Sequence, residues 1–289
     1  MKKMKLKFFG IILALALLGI YSCEKVVTDL PNENSKSGTV IVSITDAPFP
    51  YDMVEEANIT IDWIKLHKID SVLVDGEIDS DSDFVMLEKD TTLNLIELSN
   101  GITAVMSELE VPAGTYNEIR FHITEASVKI LDDTTTYRLK IPGGGASGLK
   151  VKIKPWLEVE EGVISEVLLD IDVNRSYKII GNAKGKKGIK GFMFKPVVRA
   201  VNLSSAGKVE GMVTNEDGDN IKHAMITLLS GNDTISSTKS TVGGYYAIIG
   251  VPDGTYTMEC EREGYNTEIA ENVVVEIGSV TQQDFILTK

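Results

Sequence analysis

The chain has 289 residues, 43% hydrophobic and 25% charged, which excludes bulk disorder and suggests two domains. Its formal net charge is −13 and only 7% of residues are aromatic. A polyanion of this size repels phosphate backbones, so no nucleic-acid partner is expected.

In chain order, the first element is an address. Lys2, Lys3, Lys5 and Lys7 form a basic start, and Phe8 to Ile20 is an unbroken run of apolar residues and glycine. That run is too short to cross a hydrocarbon core of about 30 Å at about 1.5 Å per residue, so residues 1–22 read as a secretory signal peptide. Small Ser22 before Cys23 resembles a bacterial lipobox. The resemblance implies lipidation of Cys23 and a lipid-anchored protein of the outer membrane, with the periplasmic or cell-surface face left open. The competing reading is a plain signal peptide followed by a chance cysteine. Loss of residues 1–22 removes four lysines and no acids and takes the charge from −13 to −17. Lipidation of Cys23, the other of the two cysteines, leaves Cys260 without an intramolecular partner, so the fold is held by burial alone. In the alternating run Tyr256-Thr257-Met258-Glu259-Cys260 this cysteine reads as a small core hydrophobe.

Residues 23–37 are polar and turn-rich and read as a flexible tether. From Gly38 the pattern has period two. Val40, Val42 and Ile44 alternate with Ile41, Ser43 and Thr45; Ile119, Phe121 and Ile123 follow the same rule, as do Val167, Leu169, Ile171 and Val173. Such alternation marks half-buried antiparallel strands. No helical period is sustained after the signal, and Thr92 to Asn100 has room for one short turn. The expected fold is all-β, two antiparallel sandwiches in tandem: 38–201 and 207–289, joined by a linker at 202–206. In the second, strand-like runs fall near 208–214, 224–229, 232–240, 244–249, 255–262, 272–276 and 283–288.

Within 207–289, Val209-Glu210-Gly211-Met212-Val213, Gly243-Gly244-Tyr245-Tyr246, VPDGTY at 251–256, Glu263-Gly264-Tyr265 and Phe285-Ile286-Leu287 resemble the carboxypeptidase regulatory-like domain. This resemblance implies a seven-stranded, transthyretin-like sandwich without catalytic residues of its own. Residues 38–201 resemble an uncharacterised domain of lipid-anchored proteins from Gram-negative bacteria. The carrying residues are Thr45-Asp46-Ala47-Pro48, the Asn100-Gly101 turn, VPAGTY at 111–116, Leu169-Asp170-Ile171-Asp172 and Phe194-Lys195-Pro196-Val197-Val198. That likeness implies a sandwich and brings no function. VPAGTY and VPDGTY differ at one position, which related topology in the two sandwiches explains; coincident turn chemistry explains it too.

No catalytic motif is complete. His67, His122 and His223 are scattered in sequence, Ser147 lacks the final glycine of a nucleophile elbow, and Gly185-Lys186 lacks the rest of a phosphate loop. No catalytic residue and no cofactor is expected. Asp75, Glu77, Asp79, Asp81 and Asp83 place acids at every second position, weak candidates for calcium. An EF-hand loop starting at Asp79 requires glycine at 84 and finds Phe84, which favours a solvated hairpin tip. Asp170 and Asp172 share one strand face, where paired carboxylates can do acid–base work; the alternation places them toward solvent. The lysine loop 184–190 reads as an exposed hairpin tip, with anionic glycan contact as the functional alternative. Phe49, Tyr51, Trp63 and Trp156 are either core or sugar-stacking rings. The expectation is a non-catalytic surface lipoprotein for binding, adhesion or assembly, with the membrane as one partner and a glycan or protein as the other. A hydrolase with an unrecognised site and a pilus-like structural subunit are the alternatives.

Overall fold

The computed structural model describes residues 36–47, 53–69, 81–131, 135–141, 147–181 and 188–289. The signal peptide, Cys23 and almost all of the tether lie outside the described residues. Alternation becomes strand as expected. In β1 (Ser37–Ala47) Val40, Val42 and Ile44 are fully buried, while Thr39 and Ile41 are half-buried. The first part of the chain continues with β2 (Val54–Ile69), β3 (Asp81–Asn94), a 3₁₀ turn (Leu95–Leu98), β4 (Ala104–Pro112), β5 (Gly114–Ile130), β6 (Thr136–Arg138), β7 (Leu149–Val159) and β8 (Ile164–Asp172). A single helical turn α1 (Val173–Ser176), the hairpin β9 (Tyr177–Gly181) and β10 (Ile189–Phe194), and β11 (Val198–Asn202) complete it.

The strand order is β3-β2-β5-β7-β11-β8-β1-β4, with β6 on β5. One core receives Ile59, Ile64 and Leu66 from β2, Ile119 and Phe121 from β5, Val42 and Ile44 from β1, and Leu169 and Ile171 from β8. The sheet is therefore bent back on itself into two layers, joined where Ala200 of β11 meets Ile153 of β7. Most pairs are antiparallel; β1 runs parallel to β8.

The second part contains β12 (Ala206–Asn215), β13 (Met225–Ser230), β14 (Asp233–Lys239), β15 (Tyr245–Pro252), β16 (Gly254–Glu261), β17 (Glu268–Val275), β18 (Val280–Gln282) and β19 (Phe285–Leu287). Its layers are β15-β12-β18, with β19 also on β12, and β14-β13-β16-β17. The run expected at 283–288 is preceded by a short strand and broken at Gln283. There the chain crosses so close to β12 that a Cβ on Gly211 would overlap the Gln283 carbonyl oxygen. Cys260 is fully buried beside Tyr256 and Met258, and burial pushes its thiol pKa up to about 12, with Glu261 and Glu268 adding to the effect.

The repeated turn is a structural repeat. Tyr116 donates its hydroxyl to Pro112 O at 2.7 Å and Tyr256 to Pro252 O at 2.8 Å, the corner bond that pins a strand to the turn preceding it. Gly38 pairs with Val111 and Gly207 with Val251. A Cβ on Gly38 would overlap Glu160 O, and one on Gly207 would overlap Glu276 O. The four-strand layers β3-β2-β5-β7 and β14-β13-β16-β17 match strand for strand, as do β4-β1-β8 and β15-β12-β18. The first sandwich is thus an elaborated version of the second.

Ser35–Lys289 is one compact unit, and the contact between its two sandwiches overturns one sequence expectation. Asp170 and Asp172 do face away from the apolar core, yet both are buried rather than solvated, at 4% and 6% exposure. Asp170 lies under the second sandwich. Arg199 Nε donates to Asp170 Oδ2 at 2.6 Å, and its other nitrogens donate to Gly250 O at 2.7 Å and Ile249 O at 3.2 Å. Ser236 of β14 adds a hydroxyl to the same carboxylate oxygen at 3.2 Å. Leu168, Val201, Ala206, Leu203 and Ile249 pack beside this clasp. Asp172 instead accepts Arg175 Nε at 2.6 Å and the Arg175 backbone N–H at 2.9 Å, capping the helical turn.

Candidate functional site

Strand register collects the charged residues that sequence distance had scattered. Across β3, β2, β5 and β7, Asp83, His67, Glu118 and Lys152 are successive neighbours in one row. The next row holds Lys65, Arg120 and Lys150, and the one after that Trp63 beside His122. All lie on the outer face, because the alternate residues Leu66, Ile64, Ile119 and Phe121 fill the core.

The first two rows lock together. His67 Nδ1 and Asp83 Oδ1 are 2.7 Å apart, and Arg120 Nη1 donates to Asp83 Oδ2 at 3.1 Å. Arg120 Nε donates to Glu118 Oε1 at 2.5 Å, and Lys152 Nζ lies 2.9 Å from Glu118 Oε2. Burial of Glu118 pushes its pKa up, but the hydrogen bonds from Lys152 and Arg120 outweigh it and hold the carboxyl below its ordinary value. In the third row His122 Nδ1 is 2.9 Å from Asp62 Oδ1. The His122 ring stacks on Trp63 at 5.7 Å and 22°, and Lys65 Nζ lies 5.2 Å from the Trp63 centroid. Gly148, at φ +63°, leaves room for the indole: a Cβ there would come within 2.5 Å of it. Trp63 is therefore a braced ring, not an open stacking platform.

Beyond these rows the face stays open. Lys150, Lys152 and Lys154 are exposed along β7, and Trp156 follows at 49% exposure. Lys150 and Lys154 have no carboxylate partner among the described residues. His122 contacts Asp62 and Trp63 and has no hydroxyl or thiol partner among those residues.

Of the acidic run, Asp75, Glu77 and Asp79 lie outside the described residues, as does the side chain of Asp81. Asp83 is committed to His67 and Arg120. Among the described residues no group of three or more His, Cys, Asp and Glu is arranged to hold a metal ion. Phe49, Tyr51 and residues 184–187 of the lysine loop also lie outside them. Asp170 lines a cavity of about 10 Å³ between the sandwiches, water-sized and too small for a substrate. The outer face is not legible in the sequence because its members come from four strands; the lysines alternating along β7 are its one local signal.

These features define an all-β protein of two topologically matched sandwiches. The domain of unknown function DUF4382 matches residues 37–196, and the carboxypeptidase regulatory-like domain matches residues 208–288. The chain belongs to the DUF4382 family. No curated protein matches it. Among solved structures it is similar to the Bacillus anthracis TIE protein, with 13% identity, a TM-score of 0.25 and coverage of 88% of this chain and 34% of that one. It is also similar to a streptococcal ancillary pilin (10% identity, TM-score 0.26, 88% and 69% covered) and to the shaft pilin SpaA from Lactobacillus rhamnosus GG (10%, 0.26, 88% and 97%). The chain spans about a third of the first of these proteins, and at such scores the likenesses carry no argument about this chain.

Proposed function

We propose that the chain is a non-catalytic module for binding, adhesion or assembly, held at the outer membrane by a lipid on Cys23. The observation that carries the non-catalytic part is the engagement of the outer-face histidines and acids. Glu118, Arg120 and Asp83 are spent on one another across an open sheet, where a catalytic acid or base needs a reacting group within hydrogen-bond reach. The anchor rests on the basic start, the apolar run and Ser22-Cys23. An acyl chain contributes about 0.8 kcal/mol per buried CH₂, and the two sandwich cores stand without it. Fractionation of cells expressing the full chain tests the anchor: wild type stays with membranes through a salt wash, and Cys23→Ser moves to the soluble fraction while remaining folded. Retention of the serine variant on salt-washed membranes would refute it.

A further inference from the structure

We infer that the outer face of β7 binds a linear acidic polysaccharide, its lysines taking the carboxylate or sulfate groups and Trp156 stacking on a sugar ring; this inference rests on the binding-module reading above. Lys150, Lys152 and Lys154 project from alternate positions of one strand, about 7 Å apart at a rise of about 3.3 Å per residue. Trp156 is exposed two residues further on. Lys150 is the end of the cross-strand row that also contains Arg120 and Lys65. Like charges on adjacent strands repel, and only part of this row is compensated. Glu118 and Asp83 hold Arg120, and Trp63 lies under Lys65. Lys150 and Lys154 keep their charge for a ligand, having no carboxylate partner among the described residues.

Charge complementarity selects an anion, and the remaining features select the kind. With −13 over the whole sequence, the rest of the molecule repels a bilayer surface or a stiff nucleic-acid duplex, which must approach over a broad area. A single flexible chain can follow a one-strand strip and stay clear of the surrounding acid. An exposed indole two residues beyond Lys154 offers an apolar face with a polar edge, which suits a sugar ring carrying acidic groups.

The test uses the full-length chain in detergent, with polygalacturonate and dextran sulfate as probes. Uncharged dextran and single-stranded DNA serve as alternatives. Binding to at least one acidic polysaccharide is expected, weakening steeply with added salt. It should fall about tenfold in the Lys150→Gln/Lys154→Gln double variant, two exposed ion pairs' worth, and by a comparable factor in Trp156→Ala. The exposed Lys222→Gln control should leave it unchanged. Lys152 is left intact because Glu118 depends on it. Absence of binding to both acidic polysaccharides overturns the inference, as does equal binding by the double variant. Preference for DNA overturns it as well. Saturable binding of uncharged dextran would overturn the strip while leaving the binding-module reading in place; enzymatic cleavage of a probe would overturn that reading itself.

Discussion

Replacing Arg199 with alanine should uncouple the two sandwiches. Asp170 is 4% exposed, and Arg199 is the cation that faces it, at 2.6 Å. Removing one partner of a buried ion pair costs about 3–5 kcal/mol, because the other charge stays desolvated. Here Ser236 keeps one hydrogen bond to Asp170, and Gly250 O and Ile249 O lose their donors. The molecule has an escape: it can part the sandwiches and let water reach Asp170. That route forfeits the packing of Leu168 and Val201, at about 1.5–3 kcal/mol for each fully buried side chain. The two routes are of similar cost, so the loss should appear mainly at the junction. Calorimetry of the full chain should show a transition lowered by on the order of 10 °C, given about 2–4 °C per kcal/mol at this size, or a split into two transitions. Replacing both charges, as Arg199→Met with Asp170→Leu, should recover the part of the loss due to the unpaired buried charge, while Gly250 O, Ile249 O and Ser236 stay without these partners. A shift under about 2 °C for Arg199→Ala, or a double variant as damaged as the sum of the singles, would refute the reasoning.

Three further outcomes follow from the same structure. The lowered pKa of Glu118 means that its pairs with Lys152 and Arg120 stabilise the fold fully above the unfolded carboxyl value of about 4.3, and that this contribution is lost as pH falls through the lower folded value. Urea midpoints of Glu118→Gln should therefore lie below wild type at pH 7 and fall less steeply below about pH 4.5. Gly211→Ala should destabilise the second sandwich severely, because the clash is with the Gln283 backbone rather than a side chain that can move; the circular-dichroism melting curve checks it. The Cys260 thiol, with its pKa raised to about 12 by burial, should resist a thiol-specific reagent at pH 8 in the Cys23→Ser chain and react fully once unfolded.

The all-β architecture was legible because its signals are local. Val40, Val42 and Ile44 announce one face of a strand without reference to any other part of the chain, and VPAGTY and VPDGTY carry the turn, the corner tyrosine and the repeat. Pairing was not legible. Nothing near Asp83 in sequence points to His67, or near Glu118 to Lys152, because register is set by the whole sheet. The same limit explains the misplacement of Asp170 and Asp172. Period two separates a core-facing side from its opposite, but it cannot tell that a second sandwich covers Asp170 or that Arg175 closes over Asp172. Of the outer face, only the lysines alternating along β7 could be read in advance, since they share one strand.

The claim that the chain binds without reacting is tested most directly by incubating the full-length protein with a panel of glycans and peptides and weighing every component by mass spectrometry. Retention of at least one ligand with all masses unchanged is expected. Turnover of any component, lost in His122→Asn or His67→Asn with the fold intact, would contradict it.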